Sequence, residues 1–297
     1  MAVSKSIDII IPTYARPGAA STLVDSLKPH LTSEDRVYIV CQEMQRHGND
    51  TDGRISYLHS APPNLPRARN TGLAAGKGEI VLFLDDDVEV LDDRILTAHR
   101  RAYEDGDVGA VAGFIEDRVF PAHGELCSVF NEATGELIQN FSLTRKQEAL
   151  SVMGAHMSFK RTALERIGGF DDQYKKNALW EDVDCAFRLR RAGWKIMFYP
   201  DAKVRHVREA RGGCRTRSRL SYTYHQFANT AYFAGRFAEK RYYRSWARFW
   251  KYRLEYVSRA SWLGLRHDPL VVAAGALGAT AGIVRFLLFG TEKSTRV

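Results

Sequence analysis

Three consecutive aspartates, Asp85, Asp86 and Asp87, directly follow an apolar run at residues 80–84. Adjacent carboxylates repel one another, and beside a hydrophobic run they are costly to desolvate unless a cation compensates them. Mg²⁺ and Mn²⁺ prefer oxygen ligands and often share their coordination shell with substrate phosphates. The cluster therefore indicates a divalent-metal site. The alternative is a solvated acidic loop that caps the next helix.

A second acidic group lies at residues 180–184, with the sequence Trp-Glu-Asp-Val-Asp, before a helix-like run that Gly193 ends. Asp182 near the start of this helix could act as a general base toward an acceptor hydroxyl, a role that typically contributes ~10²–10⁴ in rate. The alternative is a simple helix N-cap. His206 follows a predicted strand at 195–199, and it joins a metal site only if the fold returns it to the aspartates.

The elements that position these residues alternate between short apolar strands and helices. Strand, helix and strand in this order predict an α/β fold with a parallel sheet wound by right-handed crossovers. Ligands of such sheets lie beyond the carboxyl ends of the strands, here at residues 12–14, 41–43 and 85–87. We predict strands at 7–11, 37–40, 55–58 and 80–84, with helices at 19–31 and at 65–75, the latter between Asn64 and Gly76.

Composition limits the classes of protein. The 297 residues are 45% hydrophobic, which is enough for a large folded domain and excludes general disorder. Four cysteines without a C-x-x-C pair disfavour a disulfide scaffold or a zinc knuckle and fit a reducing compartment. The apolar run before Pro12 is too short for a secretory signal, so we expect a cytosolic start.

Positive charge is concentrated toward the end of the chain. From Val207 onward there are 17 Lys and Arg against 5 Asp and Glu, a net charge of +12, whereas the preceding residues carry −4. Such a tail suggests attachment to an anionic surface, either a membrane or a nucleic acid. The arginine-rich stretch at 205–219 contains Gly212 and Gly213, and it is either a solvated loop or a lid over bound phosphates.

The motifs together resemble the family 2 glycosyltransferases, the large inverting group with the GT-A fold. The resemblance runs in order from about residue 7 to residue 206, two-thirds of the chain. Its motifs are IIIPTYAR at 9–16, PRARNTGL at 66–73, the D-x-D position at 85–87, Gly154-Ala155 with FKR at 159–161, GGFD at 168–171 and WEDVD at 180–184.

The resemblance implies a role for each matching residue. Thr13 and Tyr14 would hold the nucleotide base and ribose. Asp87 would bind the metal that bridges the diphosphate, Asp182 would be the catalytic base, and His206 would complete the metal shell. The further donor-binding candidates are Pro12, Arg16, Arg69 near the base or diphosphate, Asp85 and Asp86 near the ribose and sugar, Gly154, Ala155 and Glu181.

One position departs from the family pattern. An aspartate that contacts the nucleotide base usually follows the second strand, where this chain has Cys41, Gln42 and Glu43. We expect Gln42 or Glu43 to replace it, because an amide can pair with a base edge. UDP is therefore only the default donor nucleotide.

The tail is aromatic and ends in an apolar stretch. Trp246, Phe249 and Trp250 share a helical face, which suits a membrane interface, single-stranded nucleic acid or packing on the catalytic domain. Residues 270–290 are long enough to cross a bilayer, but Arg285 makes a full span costly. A helix lying in the interface and an oligomer contact through the glycines at 275, 278 and 282 are the alternatives.

We therefore expect a GT-A catalytic domain at 1–212, with a mixed, mainly parallel sheet flanked by helices. A helical extension would follow at 213–297, with an apolar helix at about 270–290. The predicted activity is transfer from a nucleotide sugar to a glycan or lipid-linked acceptor, with Mn²⁺ or Mg²⁺, at the cytosolic face of the membrane. No Q-x-x-R-W motif is evident, so non-processive addition is favoured. The alternatives are a polyprenyl-phosphate glycosyl synthase and, from another class, a basic nucleic-acid-binding protein.

Overall fold

The structure, a computed structural model, describes residues 5–43, 52–117, 124–209, 212–213, 218–258 and 268–290. The strands are β1 Ile7–Thr13, β2 Arg36–Cys41, β3 Ile55–His59, β4 Ile80–Leu84, β5 Val88–Val90, β6 Val108–Glu116, β7 Ser128–Asn131, β8 Glu136–Gln139, β9 Gln147–Glu148, β10 His156–Lys160 and β11 Lys195–His206. The helices are α1 Pro17–Leu27, α2 Leu65–Ala75, α3 Ile95–Ala102, α4 Arg161–Arg166, α5 Glu181–Arg191, α6 Arg219–Phe237, α7 Tyr243–Ser258 and α8 Pro269–Phe289.

One large sheet organises the described residues, with strand order β3-β2-β1-β4-β10-β6-β11-β5 and β9 paired to β11. The first four strands in this order are parallel, as are β6 and β11. β10 runs antiparallel between β4 and β6, which makes the sheet mixed. The predicted mixed, mainly parallel α/β fold is confirmed.

The strands that lead to the site are buried along their whole length. Every residue of β1 and of β4 is buried, so both of their faces are covered. Asp8 within β1 is tolerated because Arg161 pairs with it at 2.5 Å. Helix α2 begins at the predicted cap, where the Asn64 side chain accepts a hydrogen bond from the Arg67 N–H.

The last strand is longer than predicted. A strand was expected at 195–199, but β11 continues through Pro200 to His206. Its pairing with β6 shifts register between Tyr199 and Lys203, which accommodates the proline that lacks an N–H. This continuation carries His206 to the edge of the sheet where β4 ends.

The helical extension packs on the sheet domain through aromatic side chains. Trp180 stacks on Phe233 of α6 with ring centroids 4.5 Å apart, and Trp246 of α7 lies 6.4 Å from Phe233. These contacts match one of the three alternatives predicted for the aromatic face, namely that it packs on the catalytic domain. The boundary near residue 212 stays a prediction.

Helix α8 runs beside α6 in the same direction. A Cβ on Gly278 or Gly282 would overlap backbone carbonyl oxygens of α6, so these glycines permit the close approach. The glycine spacing that suggested an oligomer contact is therefore used inside the chain, because α6 covers the small-residue face.

Candidate active site

The acidic strand end and the end of β1 meet at the carboxyl edge of the sheet. Asp85 is partly exposed, whereas Asp86 and Asp87 are buried. The Thr13 hydroxyl donates to Asp86 at 2.7 Å, and Arg16 Nη1 lies 2.7 Å from Asp86 Oδ1 and 3.0 Å from Asp87 Oδ2. Burial raises the pKa of Asp86 to about 6, although the hydrogen bonds from Thr13 and Arg16 oppose this shift.

His206 returns to this cluster from 119 residues downstream of Asp87. Its Nε2 lies 3.4 Å from Asp87 Oδ1 and its Nδ1 lies 3.4 Å from Asp117 Oδ2. Both ring nitrogens are buried and neither has a hydrogen-bond partner among the described residues. Ligand atoms of Asp85, Asp87 and His206 lie within 4.8 Å of one another. Two carboxylates and an imidazole whose nitrogens make no hydrogen bond to the described residues fit a divalent cation such as Mn²⁺.

The second acidic motif begins α5. Trp180 precedes the helix with a φ of +79°. Asp182 accepts the Gly154 N–H at Oδ2 and the Val183 N–H at Oδ1, each at 2.8 Å. Burial raises the pKa of Asp182, while the Arg69 charge and these N–H groups act in the opposite direction.

Arg69 on α2 joins the two acidic motifs. Its guanidinium contacts Glu181, lies 3.4 Å from Asp85 Oδ1 and donates to the Gly154 carbonyl at 3.1 Å. A Cβ on residue 154 would lie 2.7 Å from Arg69 Nη2, so a larger residue there would displace the guanidinium from this position. The predicted contact of Arg69 with the nucleotide base or diphosphate stays a prediction, since the described partners of this buried guanidinium are protein groups.

A cleft of about 140 Å³ opens over the acidic strand end. Sequence patterns did not indicate Leu65 or Asn177 as cleft residues, and they suggested Gly213 only as part of a glycine-containing loop. The residues that line the cleft are Pro12, Tyr14, Arg16, Gln42, Leu65, Asp85, Asp86, Asp87, Asn177 and Gly213. The other predicted residues, all of which the structure describes, are not part of this lining: Thr13, Glu43, Arg69, Gly154, Ala155, Glu181, Asp182 and His206.

The two replacements for the family aspartate differ in position. Gln42 is buried at the cleft, and its Oε1 accepts the Asn64 N–H at 2.9 Å. Glu43 instead accepts the Ala15 N–H at 3.0 Å and supports the turn after β1. Gln42 is therefore the better placed of the two toward a ligand in the cleft.

The glycine pair of the arginine-rich stretch lies against the end of β1. The Gly213 N–H donates to the Tyr14 carbonyl at 2.8 Å, and Arg16 Nη2 donates to the Glu209 carbonyl at 3.0 Å. Gly212 has a φ of +74°, which favours glycine. The described part of this stretch thus borders the cleft, whereas the arginines at 211, 215 and 217 fall outside the described residues.

The comparisons agree with this geometry. A family model described as glycosyltransferase like family 2 matches residues 6–228. The O-antigen biosynthesis protein RfbC of Myxococcus xanthus is 28% identical over 229 residues, covering 69% of this chain and 17% of that protein. N-acetylglucosaminyl-diphospho-decaprenol L-rhamnosyltransferase of Mycobacterium tuberculosis strain CDC 1551 / Oshkosh is 27% identical over 128 residues, covering 38% of this chain and 41% of that protein. The chain thus spans less than half the length of either relative.

Solved structures share the fold. The crystal structure of GalNAc-T7 with UDP, GalNAc and Mn²⁺ superposes with a TM-score of 0.60 at 11% identity, covering 79% of this chain and 51% of that one. The mannosyltransferase PcManGT from Pyrobaculum calidifontis, in complex with GDP-Man and Mn²⁺, superposes with a TM-score of 0.55 at 18% identity. This match covers 97% of this chain and 80% of that one. At these identities the similarity shows the GT-A fold. Because the family match extends over more than half of the chain, the protein belongs to the family 2 glycosyltransferases.

Proposed function

We propose that the chain is a metal-dependent, inverting glycosyltransferase that moves a sugar from a nucleoside diphosphate to a hydroxyl of a glycan or lipid-linked acceptor at the cytosolic membrane face. The supporting observation is the convergence of the two acidic motifs. Asp85, Asp87 and His206 form one group, and Arg69 connects it to Glu181 at the start of the helix that bears Asp182.

On the donor side, Asp87 and His206 would hold Mn²⁺ or Mg²⁺, with Asp85 nearby. The bound ion would neutralise charge on the departing diphosphate. Tyr14 and Gln42 line the same cleft and would contact the nucleoside. Arg16 already balances two of the aspartates and would keep the acidic site compact.

On the acceptor side, Asp182 would act as the general base. Two backbone N–H groups fix its orientation, and each carboxylate oxygen keeps a further lone pair to accept a proton. The acceptor oxygen would bond to the anomeric carbon while the bond to the diphosphate oxygen breaks on the opposite face. The hydroxyl proton passes to Asp182, and the anomeric configuration inverts.

The acceptor and the donor nucleotide belong to this proposal. The mycobacterial relative is named for a lipid-linked diphospho-decaprenol acceptor, which supports a membrane-bound glycan acceptor here. The two structural neighbours hold different nucleotides, UDP and GDP-Man, so the neighbours do not single out UDP. Family membership favours this enzymatic function over the nucleic-acid-binding alternative.

The test is hydrolysis of a nucleotide-sugar panel with Mn²⁺, Mg²⁺ or a chelator. We expect one donor class to be hydrolysed with added metal, and we expect Asp87→Asn to reduce the rate roughly 10²-fold or more because the leaving group loses its cation. Full activity in chelator would contradict the metal site. Transfer to polyprenyl phosphate, with none to sugar hydroxyls, would instead support the lipid-phosphate synthase alternative.

A further inference from the structure

Helix α8 exposes a broad apolar face. It is 21 residues long with a mean hydropathy of 1.9, yet only 22% of its most apolar 18-residue stretch is buried against the rest of the protein. By length and composition it is the one candidate membrane span among the described residues. The exposed large side chains on it are all uncharged: Leu270, Val272, Leu277, Ile283, Val284, Leu287, Leu288 and Phe289.

The opposite face of α8 is attached to α6. Gly278 and Gly282 are buried against the α6 backbone over successive turns. Arg285, the charge that makes a bilayer span costly, donates from Nη1 to Asn229 Oδ1 of α6 at 3.0 Å. The arginine is therefore directed away from the exposed apolar face.

Helix α6 is in turn attached to the catalytic sheet domain. Trp180 Nε1 donates to the Thr230 hydroxyl at 2.9 Å, and the Tyr232 hydroxyl donates to Asp171 at 2.8 Å. All four residues are buried. A spanning α8 would have to take α6 and its polar contacts into the hydrocarbon region or break its own packing, and both are unfavourable.

Helix α7, which packs beside α8 through the contact of Leu254 with Gly275, adds positive charge. Its outer side and the turn before it expose a basic row at spacings of 3, 4 and 3 residues. A second copy docked symmetrically on this side would bring the two basic rows together. Anionic lipid headgroups instead complement them. The row is Arg241, Arg244, Arg248 and Lys251.

From these contacts we infer that α8 lies flat on an anionic bilayer surface and does not span it. The apolar face enters the boundary between headgroups and acyl chains, the basic row of α7 binds the headgroups, and the catalytic domain stays in water. The inference rests on the proposed function only for the membrane location, and its test does not require transfer activity.

Vesicle co-sedimentation tests the apolar face. Phosphatidylcholine vesicles containing phosphatidylglycerol should bind the chain, and Leu277→Asp with Leu288→Asp should lower partitioning roughly tenfold or more per leucine. Leu126→Asp is the matched control, because Leu126 is 59% exposed outside this face. Equal loss in the control, or undiminished binding of the double variant, would overturn the inference.

Charge reversal tests the basic row. Arg244→Glu with Arg248→Glu should reduce binding to the anionic vesicles by roughly fivefold per residue, with a smaller effect on pure phosphatidylcholine. Lys77→Glu with Arg101→Glu reverses two exposed charges on the sheet domain and should change binding far less. An equal effect of both pairs would contradict a specific role for α7.

Depth measurements separate a surface helix from a span. Single cysteines at Leu270, Leu277 and Leu288, carrying an environment-sensitive fluorophore, should be quenched equally by shallow nitroxide lipids. A span would place residue 277 about 10 Å deeper than residue 270, and that result would overturn the inference. A dimer in lipid-free solution that Leu277→Asp dissociates would also overturn it, because the face would then belong to a second copy.

Donor hydrolysis by the same variants distinguishes failure of this inference from failure of the proposed function. It should stay near the wild-type rate in solution, because these side chains lie outside the cleft. Vesicle binding without hydrolysis of any donor would count against the proposed function alone. Hydrolysis without vesicle binding would count against the membrane surface alone.

Discussion

Two of the carboxylate–arginine groups among the described residues have different surroundings. The cleft cluster, Asp85, Asp86, Asp87, Arg16 and His206, opens at a strand end and contains an imidazole without a hydrogen-bond partner among the described residues. The interhelical network joins α5 to α6, and its ion-paired side chains are at most 3% exposed. The network consists of Asp171, Asp184, Arg188 and Arg236.

The contrast is sharpest within one helical turn. Asp182 and Asp184 are two residues apart on α5, and residues at that spacing do not share a helix face. Asp182 is held by backbone N–H groups beside the cleft region, whereas Asp184 pairs with Arg188 at 2.8 Å and with Arg236 at 3.0 Å. A run of acidic residues therefore combines a candidate catalytic group with a structural one. Their different contacts in the fold distinguish the two.

Removing the Asp182 charge should have the largest effect. Asp182→Asn is nearly isosteric and should lower kcat by ~10²–10⁴, because the acceptor hydroxyl loses its base. Donor affinity, measured by calorimetry, should stay close to that of the wild type. If the variant kept near-normal turnover, a residue other than Asp182 would have to be the base.

The corresponding change at Asp184 should affect stability instead. Asp184→Asn leaves two buried guanidinium groups without one of their charge partners, which should cost about 3–5 kcal/mol of unfolding free energy in urea titrations. Its kcat per folded molecule should change little. Asp107→Asn is the control, since its exposed pair with Lys195 should contribute less than about 1 kcal/mol. If both variants lost a similar amount of unfolding free energy, the buried network would not differ in strength from the exposed pair.

Much of the cleft cluster could be predicted from local sequence. The strands before Pro12 and Asp85 are short apolar runs with clear ends, and the Asn64 cap and Gly76 delimit α2. The chemistry of the aspartates follows from their position after β4. Family resemblance added His206, which no local pattern could have connected to Asp87.

Contacts between distant elements were not predictable in this way. Asn177 enters the cleft from a segment without a motif, and Asp117 lies beside His206 only because β6 and β11 pair. Arg285 reads in sequence as an interruption of an apolar helix, but in the fold it binds Asn229 of α6. Each depends on tertiary packing, which one-dimensional periodicity does not encode.

The pH dependence of turnover tests whether Asp182 is the general base. The expected effect is smaller than that of removing its charge. Burial raises the pKa of Asp182, and a general base works only when ionised. The rate should therefore rise with pH through a midpoint above the ordinary aspartate value of about 4, and below that midpoint it should fall about tenfold per pH unit.

Protonation of Asp182 should lower the rate at low pH without unfolding the protein. Because its pKa is raised in the folded state, the native protein binds that proton more tightly than the unfolded chain does. Protonation of this group thus favours the fold while it stops the reaction, and circular dichroism should stay native as activity falls reversibly. Burial also raises the pKa of Asp86, to about 6, so the profile is repeated in Asp86→Asn. A limb that disappears in Asp86→Asn, or one that persists in the residual activity of Asp182→Asn, would assign it to a group other than Asp182.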